Sequence, residues 1–183
     1  MAEIARLHPA EDKSFRVAPH NVEAEQALLG AILINNEAFY RVSDFLEPEH
    51  FYEPIHREIY EVCAKFIRAG KSADPITIKT HLPDALTADM TMPQYLARLA
   101  SEATTVINAA DYGHAVHDLA LRRALILIGE EMVSTAYDSE VDQPPEKQIE
   151  EVEGALFQLA EKGRYDGGFQ AFNVALTESI RMA

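Results

Sequence analysis

Cationic side chains are scarce in this sequence: Lys and Arg number 16 against 30 Asp and Glu, for a formal charge of −14. That balance argues against a surface built to hold nucleic-acid phosphates, which needs clustered Lys and Arg to displace counterions. It suits solubility and basic partners. Cysteine is limited to Cys63, which excludes an intrachain disulfide and fits a reducing compartment such as the cytoplasm. Long apolar runs are missing as well. The longest, Ala27–Ile34, falls far short of the ~20 residues that a membrane-spanning helix needs. The N-terminal segment mixes Glu3, Arg6, Glu11, Asp12, Lys13 and Arg16 around no apolar core, unlike a signal peptide. Neither an internal repeat nor a useful length of β-type alternation occurs.

Motifs that would carry chemistry are equally thin. Gly70-Lys71-Ser72 resembles the end of a phosphate-binding loop, but Lys65 stands where that pattern requires its first glycine. The tripeptide also ends a helical pattern instead of following a strand, so it reads as a helix stop. His114, His117 and Asp118 can reach one metal ion from one helix face, yet a metal site needs three or four converging ligands. They and His8, His20, His50, His56 and His81 read as surface or hairpin-contact residues. Residues 138–153 carry seven acids against Lys147 alone. They flank Pro144–Pro145 and read as a solvated face or a dock for a basic partner. Cys63, beside Val62 and Phe66, reads as a buried structural thiol. No catalytic, cofactor-binding or metal-ligating residue is expected in this chain.

Helical signals, by contrast, run the length of the sequence. Residues 1–17 show no periodicity and read as a tail. Asn21 can cap a helix with Glu23 and Glu25 in its first turn, where the helix dipole favours acids. Ala24, Leu28, Leu29, Ile32 and Leu33 then recur at helical spacing, and Asn35–Asn36 end the run. Phe39, Val42 and Leu46 mark a second short helix closed by Pro48. A third opens at Pro54, carries Ile55, Ile59, Val62 and Phe66, and stops at Gly70. Asp74–Pro75 restarts the chain through Ile76, Ile78 and Leu82 to Pro83. Pro93 opens another helix with Tyr95, Leu96 and Leu99.

From Asn108 to Asp138 no proline intervenes. On a helical wheel one stripe holds Tyr112, Ala115, Val116, Leu119, Ile126, Leu127, Val133 and Tyr137. A second, nearly opposite, holds Leu121, Leu125, Ile128, Met132 and Ala136. Two stripes predict burial on two sides. Gly113 and Gly129 are expected to admit close helix approach. After Pro144–Pro145, the seam of Ile149, Val152, Leu156 and Leu159 predicts a second helix folded back as an antiparallel hairpin. It is too short to cover both stripes, so one seeks the head or a second chain; we assign Leu121, Leu125, Ile128 and Met132 to contact with another hairpin. Gly167–Gly168 form a joint, beyond which Phe172, Leu176 and Ile180 begin an amphipathic helix that runs to the last residue mid-pattern, as expected of a piece of a longer protein.

The expected fold is therefore all-α: a tail over 1–17, a helical head over 18–105, a hairpin over 106–164, and a linker with the start of a linker helix over 165–183. In order, Pro19-His20-Asn21-Val22-Glu23-Ala24-Glu25-Gln26-Ala27-Leu28-Leu29-Gly30, Phe51-Tyr52 with His56 and Ile59, Ile76-Thr77-Ile78, Tyr95-Leu96 with Leu99, Asn108 with Tyr112 and Arg123, and Ala160-Glu161 resemble the N-terminal region of the bacterial DnaB-family replicative DNA helicases. The resemblance covers roughly residues 17–183. It implies a collar of heads and hairpins in a hexameric ring, assembling from dimers. It implies docking of primase and, in some bacteria, of a helicase loader. It implies a linker helix, Phe172, Leu176 and Ile180, that docks on a neighbouring motor domain. ATP, Mg and DNA would belong to that motor, which is absent here, and the setting would be cytoplasmic. Residues 114–121 are less charged than is usual in that family, so no primase-contact residues are assigned. The competing reading is an unrelated helical adaptor or regulatory dimer.

Overall fold

The computed structural model of the chain describes residues 16–85, 90–103, 108–138 and 144–163. Seven α-helices follow one another within these residues: α1 (Val22–Ile34), α2 (Glu37–Tyr40), α3 (Pro54–Arg68), α4 (Pro75–Ile78), α5 (Met92–Glu102), α6 (Ala109–Tyr137) and α7 (Pro145–Gly163). Short 3₁₀ turns cover Pro48–His50 and Lys79–His81. Residues 1–15 of the tail over 1–17 and the linker over 165–183, with Phe172, Leu176 and Ile180, lie outside the described residues.

Local chemistry places the ends of these helices. The Asn21 side chain accepts from the Ala24 amide at 2.9 Å, capping α1 as its position suggests. Asp74 Oδ1 accepts from the Ile76 and Thr77 amides, and Pro75 opens α4 where its missing N–H leaves no bond unmade. α3 stops at Gly70, whose φ of +71° is a left-handed conformation that glycine adopts without a Cβ clash. One segment is shorter than its periodicity suggests. After Tyr40 the chain tightens into turns, with Val42 bonded to Phe39 and Phe45 to Val42. Phe39, Val42 and Leu46 are buried all the same.

α1 is the centre of the head and packs against α3, α5 and α6. Its Leu28, Leu29 and Ile32 are fully buried with Phe51, Ile59 and Leu96. Helices meet closely where side chains are missing: a Cβ on Gly30 would collide with the Leu99 carbonyl, and one on Gly113 would lie 2.5 Å from Val42 Cγ1. Gly129, in contrast, meets nothing within 4 Å among the described residues. The Asn36 side chain donates to the carbonyls of Ile32 and Ala73 and accepts from the Ala73 amide, tying the end of α1 to the segment before α4.

α6 and α7 form the antiparallel hairpin. Gly163 lies against Leu121, where a Cβ would be 3.2 Å from Leu121 Cδ1, and at the far end Gln148 donates to the Met132 carbonyl at 2.8 Å. Only the first third of α6 enters the head core, through Ala109, Gly113, Val116 and His117. Beyond His117 no described residue is buried.

Candidate functional site

Three arrangements stand out: a buried polar cluster that locks the head, a clamp that holds α6 to it, and an apolar surface on the hairpin. Glu25 is 2% exposed although it stands in the first turn of α1. Its carboxylate accepts from the Tyr52 amide at 2.6 Å, the Glu53 amide at 3.3 Å and His56 Nδ1 at 2.6 Å. An ionised carboxylate only accepts, so His56 carries its proton on Nδ1. In the neutral ring Nε2 then accepts from the Tyr95 hydroxyl, 2.6 Å away, and that hydroxyl accepts from Gln26 Nε2 at 3.2 Å. The chain of bonds joins α1, α3 and α5 through groups that would be expensive to bury singly.

His56 is thus no surface histidine; it is fully buried. Sequence spacing carried the signal. Glu25 precedes Leu28 and Leu29 by three and four positions, and His56 precedes Ile59 and Tyr60 likewise, which puts both on apolar faces. An acid and a histidine on two apolar stripes point to a buried pair.

Arg123 is the second device. Its guanidinium donates to the Pro19 carbonyl at 2.8 Å and the His50 carbonyl at 2.6 Å, and sits 5.7 Å from the centre of the Tyr52 ring. Tyr52 also meets His20, whose ring stacks on it at 4.2 Å. One side chain of α6 therefore grips both the approach to α1 and the turn before α3. Next to it, His117 meets the His50 ring edge to face at 4.9 Å, and His114 stacks on Phe45 at 4.2 Å.

The third arrangement is the outer hairpin. Leu125, Ile126, Leu127, Met132, Val133 and Tyr137 on α6 are 43–87% exposed, as are Ile149, Leu156 and Phe157 on α7 at 42–61%. Met132, Val133, Ala136, Ile149 and Val152 line an open apolar groove of about 410 Å³. Of the four residues assigned to another hairpin, Leu121 is engaged by Gly163 of α7, and Ile128 lines the α6–α7 groove with Met132 and Val152. Leu125, one turn from each, is 51% exposed. So α7 takes the Leu121–Ile128 side of α6 and the head takes the side of Gly113 and Val116, while Leu125 of one stripe and Ile126 and Val133 of the other remain 44–51% exposed among the described residues.

Other candidates have ordinary placements. Gly70-Lys71-Ser72 caps the end of α3, with the Lys71 amide closing on Phe66 at 2.9 Å. Burial pushes the Cys63 thiol up to about 12, so no thiolate forms at neutral pH. Among the described residues no group of three or more His, Cys, Asp or Glu can hold a metal ion, and no helix is long and apolar enough to cross a membrane.

A model of the DnaB-like helicase N-terminal domain matches residues 17–118. The chain is 45% identical over 166 residues to the replicative DNA helicase DnaB of Rickettsia conorii, covering 90% of this chain and 34% of that protein. It is 36% identical over 134 residues to the DnaB of a Nostoc species, covering 73% of this chain and 15% of that protein. In structure it is similar to the crystallised N-terminal domain of DnaB helicase from Mycobacterium tuberculosis, with a TM-score of 0.70 and 26% identity over 78% of this chain and 99% of that one. It is also similar to a DnaB-like replicative helicase solved in a study of its interactions with primase, with a TM-score of 0.59 and 25% identity over 89% of this chain and 35% of that one. The chain spans about a third of the Rickettsia relatives' length. These matches support the helicase resemblance and not an unrelated adaptor.

Proposed function

Because this chain belongs to the family of DnaB-like helicase N-terminal domains, we propose that it is the assembly and docking collar of a replicative helicase and carries no catalysis itself. The head over 18–105 is a rigid platform. The hairpin over 106–164 self-associates into dimers and, in the whole protein, a hexameric ring. Residues 165–183 link to a motor domain that uses ATP and Mg to unwind DNA in the cytoplasm, with Phe172, Leu176 and Ile180 docking on the neighbouring motor. The collar's partners are primase and a helicase loader, and DNA is met only through the motor.

The observation that carries this reading is the exposed apolar face of the outer hairpin. Monomers rarely leave an extended apolar patch in water, and Leu125, Ile126, Met132 and Val133 are 43–51% exposed among the described residues. The proposed interface keeps Leu125 and Met132 at its centre, with Leu121 and Ile128 behind them, in contact with α7. The test is light scattering on the 183-residue chain and on Leu125→Asp. The wild type is expected to self-associate, and the variant to be monomeric with unchanged helicity. A wild type that stays monomeric at high micromolar concentration overturns the proposal.

A further inference from the structure

His50 holds two positions at once. Its ring Nδ1 accepts from the Glu47 amide at 3.0 Å, closing the 3₁₀ turn Pro48–His50 from within, and its carbonyl receives Arg123 Nη2 at 2.6 Å. Nδ1 is an acceptor here, so neutral His50 bears its proton on Nε2. A second proton on Nδ1 would set an N–H against the Glu47 N–H, and the turn that presents the carbonyl to Arg123 would lose its side-chain bond and rest on the backbone bonds from His50 N to Glu47 O and from Phe51 N to Pro48 O alone. The ring is also poorly placed to carry charge. It is partly desolvated and meets the His117 ring of α6 at 4.9 Å. Arg123 of α6 and Lys162 of α7 add further positive charge, while Glu49 on its own turn favours the cation. The remaining charged groups near it, Asp44, Glu47, Arg68 and Glu161, line the cleft on which the ring opens.

We propose that His50 is a proton-operated latch between head and hairpin: protonation of its ring breaks the Glu47 bond, withdraws the carbonyl from Arg123 and frees α6 from the turn before α3. The latch is a property of this chain's own fold and stands whether or not the chain assembles into a ring. The direction follows from the ring's environment, which lowers its pKa from 6.5 to about 4. The closed state binds fewer protons than the open one. Closure is fully favoured above 6.5 and weakens as pH falls from 6.5 towards about 4. Within that window the closed-to-open ratio changes by up to about tenfold per pH unit, the limit for a single proton.

The experiment is an NMR titration of the ¹⁵N-labelled 183-residue chain from pH 7.5 to 4.5, following the Glu47 amide and the Arg123 guanidinium. Both signals are expected to shift together, while core amides such as that of Tyr60 stay in place. His50→Asn, which offers a non-titrating acceptor near the Nδ1 position, should hold the Arg123 signal fixed over the same range. Arg123→Gln should leave the Glu47 amide titrating without its partner. The proposal is overturned if the Arg123 signal stays fixed while Glu47 shifts, if neither moves in the wild type, or if the core amides move in step with them. Because the wild-type titration decides between these outcomes alone, a variant that fails to fold does not rescue the idea.

Discussion

Arg123, midway along α6, donates from Nη2 to the backbone carbonyl of His50 at 2.6 Å, a contact made across 73 positions of sequence. With the Pro19 carbonyl it forms a two-pronged grip that only a planar, multi-donor cation can make. Hydrogen bonds from charged donors contribute about 1.5–3 kcal/mol. Arg123→Ala is therefore expected to lower the unfolding free energy by about that much in urea denaturation. Arg123→Lys should recover less than half of the loss, since an ammonium cannot span both carbonyls. Full recovery by lysine would mean that charge alone, and not the fork, secures the helix.

The Glu25–His56 pair is buried from both sides, with His56 fully inaccessible and Glu25 nearly so. Removing one member strands the other, and such losses run to about 3–5 kcal/mol. His56→Leu should show a loss of that size by chemical denaturation. The double variant Glu25→Leu/His56→Leu should lose clearly less than the two single variants added together. Simple additivity would show that the two side chains are energetically independent.

The two glycines of α6 should respond with opposite signs. Gly113→Ala forces a Cβ to within 2.5 Å of Val42 Cγ1, and overpacking of this kind costs about 1–3 kcal/mol. At Gly129 a Cβ meets nothing, so Gly129→Ala should raise helix stability by roughly 1 kcal/mol through propensity. Thermal melts at low concentration, where chains are monomeric, read both. Equal signs would contradict the placement of α6 on the head.

Self-association of the outer hairpin should strengthen with salt, because apolar contact works against repulsion between chains of −14. The Debye length of about 8 Å at 0.15 M salt confines that repulsion to nearby charges. Phe157→Ser deletes a ring that is 61% exposed in one chain. If that ring is buried in the complex, losing about 1.5–3 kcal/mol weakens association roughly ten- to hundredfold. Sedimentation equilibrium at low and high salt measures both effects. Weaker association at high salt would point to an ion-paired interface instead.

Cys63 should be inert in the native protein. It is fully buried in α3, and its thiol is pushed up to about 12, so an aromatic disulfide reagent at pH 8 should react only at the rate of unfolding. Rapid stoichiometric labelling without denaturant would show that α3 opens locally.

The helices were legible in the sequence because their determinants are local. Asn21, Asp74–Pro75, Gly70 and Pro144–Pro145 act on backbone groups within a turn of themselves, and the apolar spacings of α1, α3 and α7 follow from helical geometry alone. The exception is the stretch after Tyr40, where Val42 and Leu46 reach the core from a run of turns that period alone cannot tell from a helix. The family, too, was readable from the order of its short segments.

What only the tertiary structure decided is the assignment of faces and partners. Glu25, read alone, is a dipole-favoured acid at a helix start; it becomes a buried keystone because α3 delivers His56 and α5 delivers Tyr95 to the same side. The two stripes of α6 announced two contacts but not which neighbour takes which. The head claims the side of Gly113 and Val116, because the missing side chain of Gly113 admits Val42 and Phe45. α7 claims Leu121 and Ile128, because the hairpin's turn brings it to that side. Leu125 of one stripe and Ile126 and Val133 of the other stay half-exposed, with no further described helix against them. Sequence period sets which residues share a meridian of a helix. Which meridian meets which surface depends on contacts between residues scores of positions apart, and those exist only once the chain has closed.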